Sequence, residues 1–224
     1  MLNLSEQVKL ERTQFTLFCD WKCQEDCVRL CSLLEQKMEE IMQFFRLEAL
    51  DEKPVIYMSS ERSVFRNHVE DVARQHEGVQ YFDWMIADTY DGDINILSLE
   101  ACRETEAHRY MSQEEYDKII VHEFVHICHG QCFRRQIDRN KFCGWFWEAL
   151  ATNLSGQEYP KVELVCTAKQ LLTEFPNISN SYAQAYHIGK YMLGYMAQEK
   201  ILEYVYYPER LAEDMEEILE MVKG

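Results

Sequence analysis

The segment "SQEEYDKIIVHEFVHICHG", residues 112–130, constrains the fold of this chain more than any other. Its opening "SQEE" is a capping-box pattern: Ser112 accepts from a first-turn amide while the Glu115 carboxylate reaches back to the cap amide. The apolar run behind it predicts a helix to about His129, with Gly130 as its stop. Yet His122, Glu123 and His126 interrupt that run. Ionisable side chains on an apolar, buried helix are costly unless they are paired or bound to metal. A stable fold must therefore bring partners to this one face.

The spacing says what kind of partner. His122 and His126 are four apart, which stacks their rings on one helix face with Cβ atoms roughly 6 Å apart. Two imidazole nitrogens can then reach one Zn²⁺ at about 2.0–2.1 Å. Glu123 follows the first of them and can take a proton from water at the metal. Catalytic zinc commonly has three protein ligands and an open position. Glu148, in "GWFWEALATNLSGQ", lies 22 residues past His126 and offers the third ligand from a second helix.

Around this helix the strand signals gather in the first half of the chain. "QFTLFC" and "VIYMS" read as strands, and "VQYFDWMIADTYDGDINILSL" reads as two strands joined around Asp91-Gly92. Between the first two, "QEDCVRLCSLLEQKMEEIMQFF" carries Leu30, Leu34, Met38, Ile41 and Phe45 along one helical stripe. A further helix is expected over 61–75. From Gly144 onward the pattern is helical, over about 144–156, 160–174, 180–199 and 208–222, with Pro160, Pro176 and Pro208 marking breaks. The expectation is an α+β fold in one domain over 1–224: a strand-rich half with a long helix to 110, and a helical half carrying the zinc site from 111.

Composition narrows the function. A net charge of −16 repels phosphate backbones and anionic lipid, which argues against nucleic acid and membranes as partners. No run approaches the 18 or so apolar residues of a membrane span, and "MLNLSEQVKLERTQF" has no signal-peptide pattern. Nine cysteines without framework spacing suggest reduced thiols and a cytoplasmic location. Cys19, Cys23, Cys27 and Cys31 recur every four residues, but Cys19 falls in the strand or its turn, and successive i, i+4 steps drift around a helix by about 40°. Buried free thiols are the expectation there.

"HEFVH" followed by "WFWEALATNLSGQ" resembles the gluzincin metallopeptidases, the clan of thermolysin and the zinc aminopeptidases. The order of elements, ending in "YAQAYHIGKYML", is similar as well. The resemblance implies a thermolysin-like catalytic domain with a small N-terminal mixed sheet, one zinc ion, and hydrolysis of peptide or protein substrates. His122, His126 and Glu148 would be the ligands and Glu123 the general base. Ala149 stands where the family usually has glycine. Thr152 stands where thermolysin-like enzymes place an aspartate behind the first histidine, and its hydroxyl would orient His122 with less charge. Tyr182 best fits the family's oxyanion donor, with Tyr186 and His187 as alternatives. "INILSL" would be the substrate-aligning edge strand, with peptide added against Ile94 and Ile96.

Three rival readings use the same residues. "HEFVHICHGQC" nearly fits the metzincin pattern, with Cys132 in place of the third histidine. His129 is too far from His122 along one helix, roughly 10 Å of rise, to share its ion, and is expected near the helix end, where a cation is favoured. A zinc-bearing regulatory or interaction protein with little turnover is the second alternative. Hydrolysis of a non-peptide amide by the same centre is the third.

Overall fold

β1 (Gln7–Glu11), β2 (Thr16–Asp20), β3 (Val55–Ser59), β4 (Ala87–Tyr90) and β5 (Asp93–Leu97) form one five-stranded sheet in the order β1-β2-β3-β5-β4. The computed structural model describes residues 7–75, 80–134 and 143–223. β2, β3 and β5 run parallel in the middle, while β1 and β4 are antiparallel edges. Parallel neighbours need crossovers. α1 (Gln24–Phe44) provides one between β2 and β3, and α2 (Arg62–Gln75) follows β3 and packs on β3 and β5. The central strands are the apolar ones: Leu17, Ile56, Met58, Ile94 and Ile96 are all buried.

The hairpin between β4 and β5 turns where the sequence predicts. Asp91 and Gly92 both have positive φ, 48° and 92°, the backbone that a two-residue hairpin with the right strand twist requires. β1 carries no strong strand signal, because "QVKLE" is short and charged. It forms by pairing with β2, and Lys9 and Glu11 suit an edge that must not recruit another chain. Residues 80–86 hold no strand, so the segment expected from Val79 onward becomes regular only at Ala87; Val79 itself lies outside the described residues.

β5 corrects one expectation. It is hydrogen-bonded to β3 on one side and β4 on the other, so "INILSL" is an interior strand. Ile94 and Ile96 are fully buried core residues and have no free edge to offer a peptide. Alternation of apolar residues marks a strand as half-buried but carries no information about its place in the sheet.

Ser98 caps the short α3 (Leu99–Arg103), accepting from the Ala101 amide. α4 (Gln113–Arg134) begins with the expected box: the Ser112 amide donates to Glu115 Oε2 at 2.7 Å, and the Glu115 amide to Ser112 Oγ at 3.2 Å. The helix does not stop at Gly130. A Cβ there would meet the Trp147 ring at 3.4 Å, so the glycine is a close-packing position inside the helix rather than a terminator. Tyr116 ties α4 to the sheet by donating its buried hydroxyl to the Leu97 carbonyl at 2.6 Å.

The chain divides into two compact units, the described parts of Met1–Glu40 with Ala49–Ile127, and of Ile41–Glu48 with Cys128–Gly224. The first holds the sheet. The second holds α5 (Gly144–Leu154), α6 (Ala168–Thr173), α7 (Ser181–Tyr195), α8 (Gln198–Tyr206) and α9 (Pro208–Lys223). α1 and α4 are continuous helices that contribute turns to both.

In the second unit α5 and α7 cross closely at Ala149 and Gly189. A Cβ on Gly189 would lie 2.9 Å from the Ala149 Cβ and carbonyl oxygen and 2.8 Å from Asn153 Nδ2. Asn153 Nδ2 bridges the pair, donating to the carbonyls of Ala149 at 2.8 Å and Tyr186 at 3.0 Å. The helix expected over 160–174 is shorter, starting only at Ala168 behind a Thr167–Gln170 capping box. Residues 160–167 are irregular because side chains serve their backbone instead. His187 Nε2 pairs with the Pro160 carbonyl, the Cys166 amide donates to the buried Gln184 Oε1, and Lys223 Nζ donates to the Cys166 carbonyl.

Candidate metal centre

α4 places both histidines. Its apolar flanks Val121, Phe124 and Val125 are buried, which turns His122, Glu123 and His126 into nearly buried positions as well, each 7–8% exposed. The two imidazole rings sit 4.6 Å apart, edge to face, as one turn of helix dictates. Below them the same helix is clamped beside α5. His129 stacks on Trp147 at 4.2 Å and meets Phe146 and Phe45 at 5.8 Å each.

That aromatic box corrects the reading of His129 as a helix-terminal cation. Burial pushes its pKa down to about 3, so the ring is neutral and acts as a packing element. α4 runs on to Arg134, which leaves His129 inside the helix rather than at its end.

Glu148 comes from the first turns of α5, beside Trp147. One ligand atom from each of His122, His126 and Glu148 lies within 4.8 Å of the others. Two neutral imidazoles and a carboxylate are the donor set of a catalytic zinc site, so these residues fit that ion.

Glu123 has a partner that no local pattern announces. Thr89, in the edge strand β4, donates its hydroxyl to Glu123 Oε2 at 2.5 Å. The Thr89 hydroxyl oxygen also lies 3.3 Å from the Glu123 carbonyl oxygen. A threonine 34 residues upstream thereby holds the carboxylate that the sequence nominates as a base. The only available signal was its place in the strand next to the Asp91-Gly92 turn.

The other nominated residues fall as follows. Thr152 is fully buried and donates its hydroxyl to the Glu148 carbonyl at 2.7 Å, bracing the turn of α5 that carries the carboxylate. Tyr182 lies in the first turn of α7, its ring 6.1 Å from Phe175. Tyr186 is buried, accepts from Lys190 Nζ at 3.0 Å and packs against Tyr159 at 5.7 Å. His187 is committed to the Pro160 carbonyl at 2.9 Å. Tyr159 was not foreseen. Burial and then the negative charge of Glu148 push its pKa up to about 12, so its phenol keeps its proton near that carboxylate.

Cys132, the alternative third ligand, is buried, and its sulfur lies 3.5 Å from the Tyr206 hydroxyl. Among the described residues no helix is long and apolar enough to cross a membrane. Comparison of the chain with protein-family models, with curated proteins and with solved structures produced no match.

Proposed function

We propose that this chain is a zinc-dependent peptidase of gluzincin type, with a thermolysin-like arrangement around one ion held by His122, His126 and Glu148. The observation that carries the reading is the approach of those three ligand atoms to within 4.8 Å, from two different helices, with Glu123 beside the first histidine. A purely structural zinc site closes its fourth position and has no use for an adjacent base. Zinc, when bound, supplies Lewis acidity and lowers the pKa of water towards 7.

The chain's own residues would do the rest. Glu123 accepts the proton of the attacking water and delivers it to the leaving amine. Thr89 keeps that carboxylate pointed by its hydrogen bond. A tyrosine donates to the oxygen on which negative charge develops. Tyr182 is the family-like choice, and Tyr159 is a second one because it feels the charge of Glu148 and remains protonated.

Substrate backbone would align on β4 rather than β5. β4 is the sheet edge, and through Thr89 it runs past Glu123. Main-chain hydrogen bonds to an edge strand give affinity with little dependence on side chains. The test is zinc quantification on the purified protein together with cleavage of a broad peptide library, with and without chelator. Glu123→Gln should retain zinc and lose turnover by roughly 10²–10⁴-fold. Undiminished cleavage by that variant would remove Glu123 from its role, and absence of zinc uptake would remove the site.

A further inference from the structure

Three cysteines form a second constellation of metal-ligating atoms, away from the histidines in sequence and within the sheet-bearing unit. Cys19 is the penultimate residue of β2, Cys23 closes the short 3-10 turn Trp21–Cys23, and Cys27 lies in the first turn of α1. The regular spacing would scatter four-residue steps around a helix. Here the first step crosses from strand to turn, so the drift does not apply, and the three sulfurs lie within 4.8 Å of one another. All three residues are buried, at 4% exposure or less.

Two more donors adjoin them. Met58 Sδ, on β3 directly across from Cys19, lies 3.3 Å from Cys27 Sγ. Asp20 Oδ1 lies 3.4 Å from Cys23 Sγ, while Asp20 Oδ2 is held by the amide and hydroxyl of Ser60 at 2.9 and 2.8 Å. The aspartate is therefore oriented from behind with one oxygen directed at the sulfurs. Cys31, one turn further along α1, is buried but is not among the three clustered sulfurs.

We propose that Cys19, Cys23 and Cys27 bind a thiophilic closed-shell ion, zinc(II) or copper(I). Soft thiolate and thioether donors select these ions over hard cations. The fourth neighbour separates the two: copper(I) would draw on the Met58 thioether, and zinc(II) on the Asp20 oxygen. Binding forms the three sulfur–metal bonds and releases the thiol protons of Cys19, Cys23 and Cys27 to solvent. The site would hold β2, the turn and α1 together, and it does not depend on the histidine centre.

The test loads the full, unaltered chain with zinc(II) in one arm and copper(I) under anaerobic reducing conditions in the other, removes loose ions, and measures stoichiometry and X-ray absorption at the metal edge. The histidine centre contributes no sulfur, so a sulfur shell reports the cysteines directly. The expected result is one equivalent with a sulfur-dominated shell in the copper arm, or in the zinc arm a sulfur-bound equivalent beyond the one bound by nitrogen and oxygen at the histidines. A shell of nitrogen and oxygen alone, or retention of neither ion, would overturn the proposal. Replacing His122 and His126 together with alanine should leave the sulfur-bound equivalent in place. Cys23→Ser should weaken retention at least tenfold, whereas Cys31→Ser should not.

Discussion

Gly189→Ala in α7 tests how tightly the α5–α7 crossing positions Glu148. Replacing glycine by alanine in an exposed helix interior normally stabilises by about 0.8–1 kcal/mol, because alanine loses less backbone freedom on folding. At Gly189 the new Cβ would lie 2.9 Å from the Ala149 carbonyl oxygen and Cβ and 2.8 Å from Asn153 Nδ2, where ordinary contact begins at 3.4 Å. The two nearest atoms of Ala149 belong to a helix and cannot swing aside, so α5 and α7 must part by about 0.5 Å or more. Overpacking of this kind costs roughly 1–3 kcal/mol and outweighs the propensity gain. The net loss should be up to about 2 kcal/mol, or a fall in Tm of up to about 8 °C for a chain of this size. Gly194, on the same helix, has nothing within 4 Å of its Cβ position. Gly194→Ala should therefore raise Tm slightly. Thermal melts followed by circular dichroism on the two variants in parallel give the comparison. Equal stabilisation by both would refute the claim that the crossing is packed to contact. Zinc affinity should fall with Gly189→Ala and not with Gly194→Ala, since only the first displaces the helix that carries Glu148.

Three further outcomes are expected. His129 should make the protein acid-labile: its pKa is about 3 when folded and near 6.5 when unfolded, so the unfolded chain binds the extra proton between those values. The stabilisation is complete above pH 6.5 and is lost as pH falls, by about 2–3 kcal/mol between pH 7 and pH 4.5; His129→Phe should flatten that part of the urea-midpoint profile relative to the native chain. Thr89→Val removes the hydroxyl that holds Glu123 and should lower kcat roughly tenfold while zinc stoichiometry stays unchanged, which is read from turnover and metal content together. Glu148→Ala should abolish turnover and the zinc equivalent bound through histidine nitrogen, with little change in the circular-dichroism spectrum, and a retained histidine-bound zinc would point to a different third ligand such as Cys132.

The local elements that carry the candidate ligands were legible because their signals are short-range. The Ser112–Glu115 cap, the helical spacing of His122 and His126, the Glu148 helix and the Asp91-Gly92 turn each depend on a few neighbours along the chain. Sequence alone therefore determined that one helix carries two stacked imidazoles and a carboxylate, and that the strands gather in the first half of an α+β chain. Tertiary structure decided what lies beside them. It put β4 rather than β5 at the sheet edge, because strand order depends on partners 30 or more residues away. It turned Gly130 from a helix stop into a seat for Trp147 and made His129 a neutral core ring, because both outcomes come from burial against α5. Backbone satisfaction by Gln184, Lys223 and His187 displaced the helix expected before Ala168. The strand-to-helix turn after Asp20 gathered three cysteines that a continuous helix would have spread apart. Short-range hydrogen bonds and periodicity can be read from neighbouring letters, whereas packing and edge exposure depend on which distant segments meet.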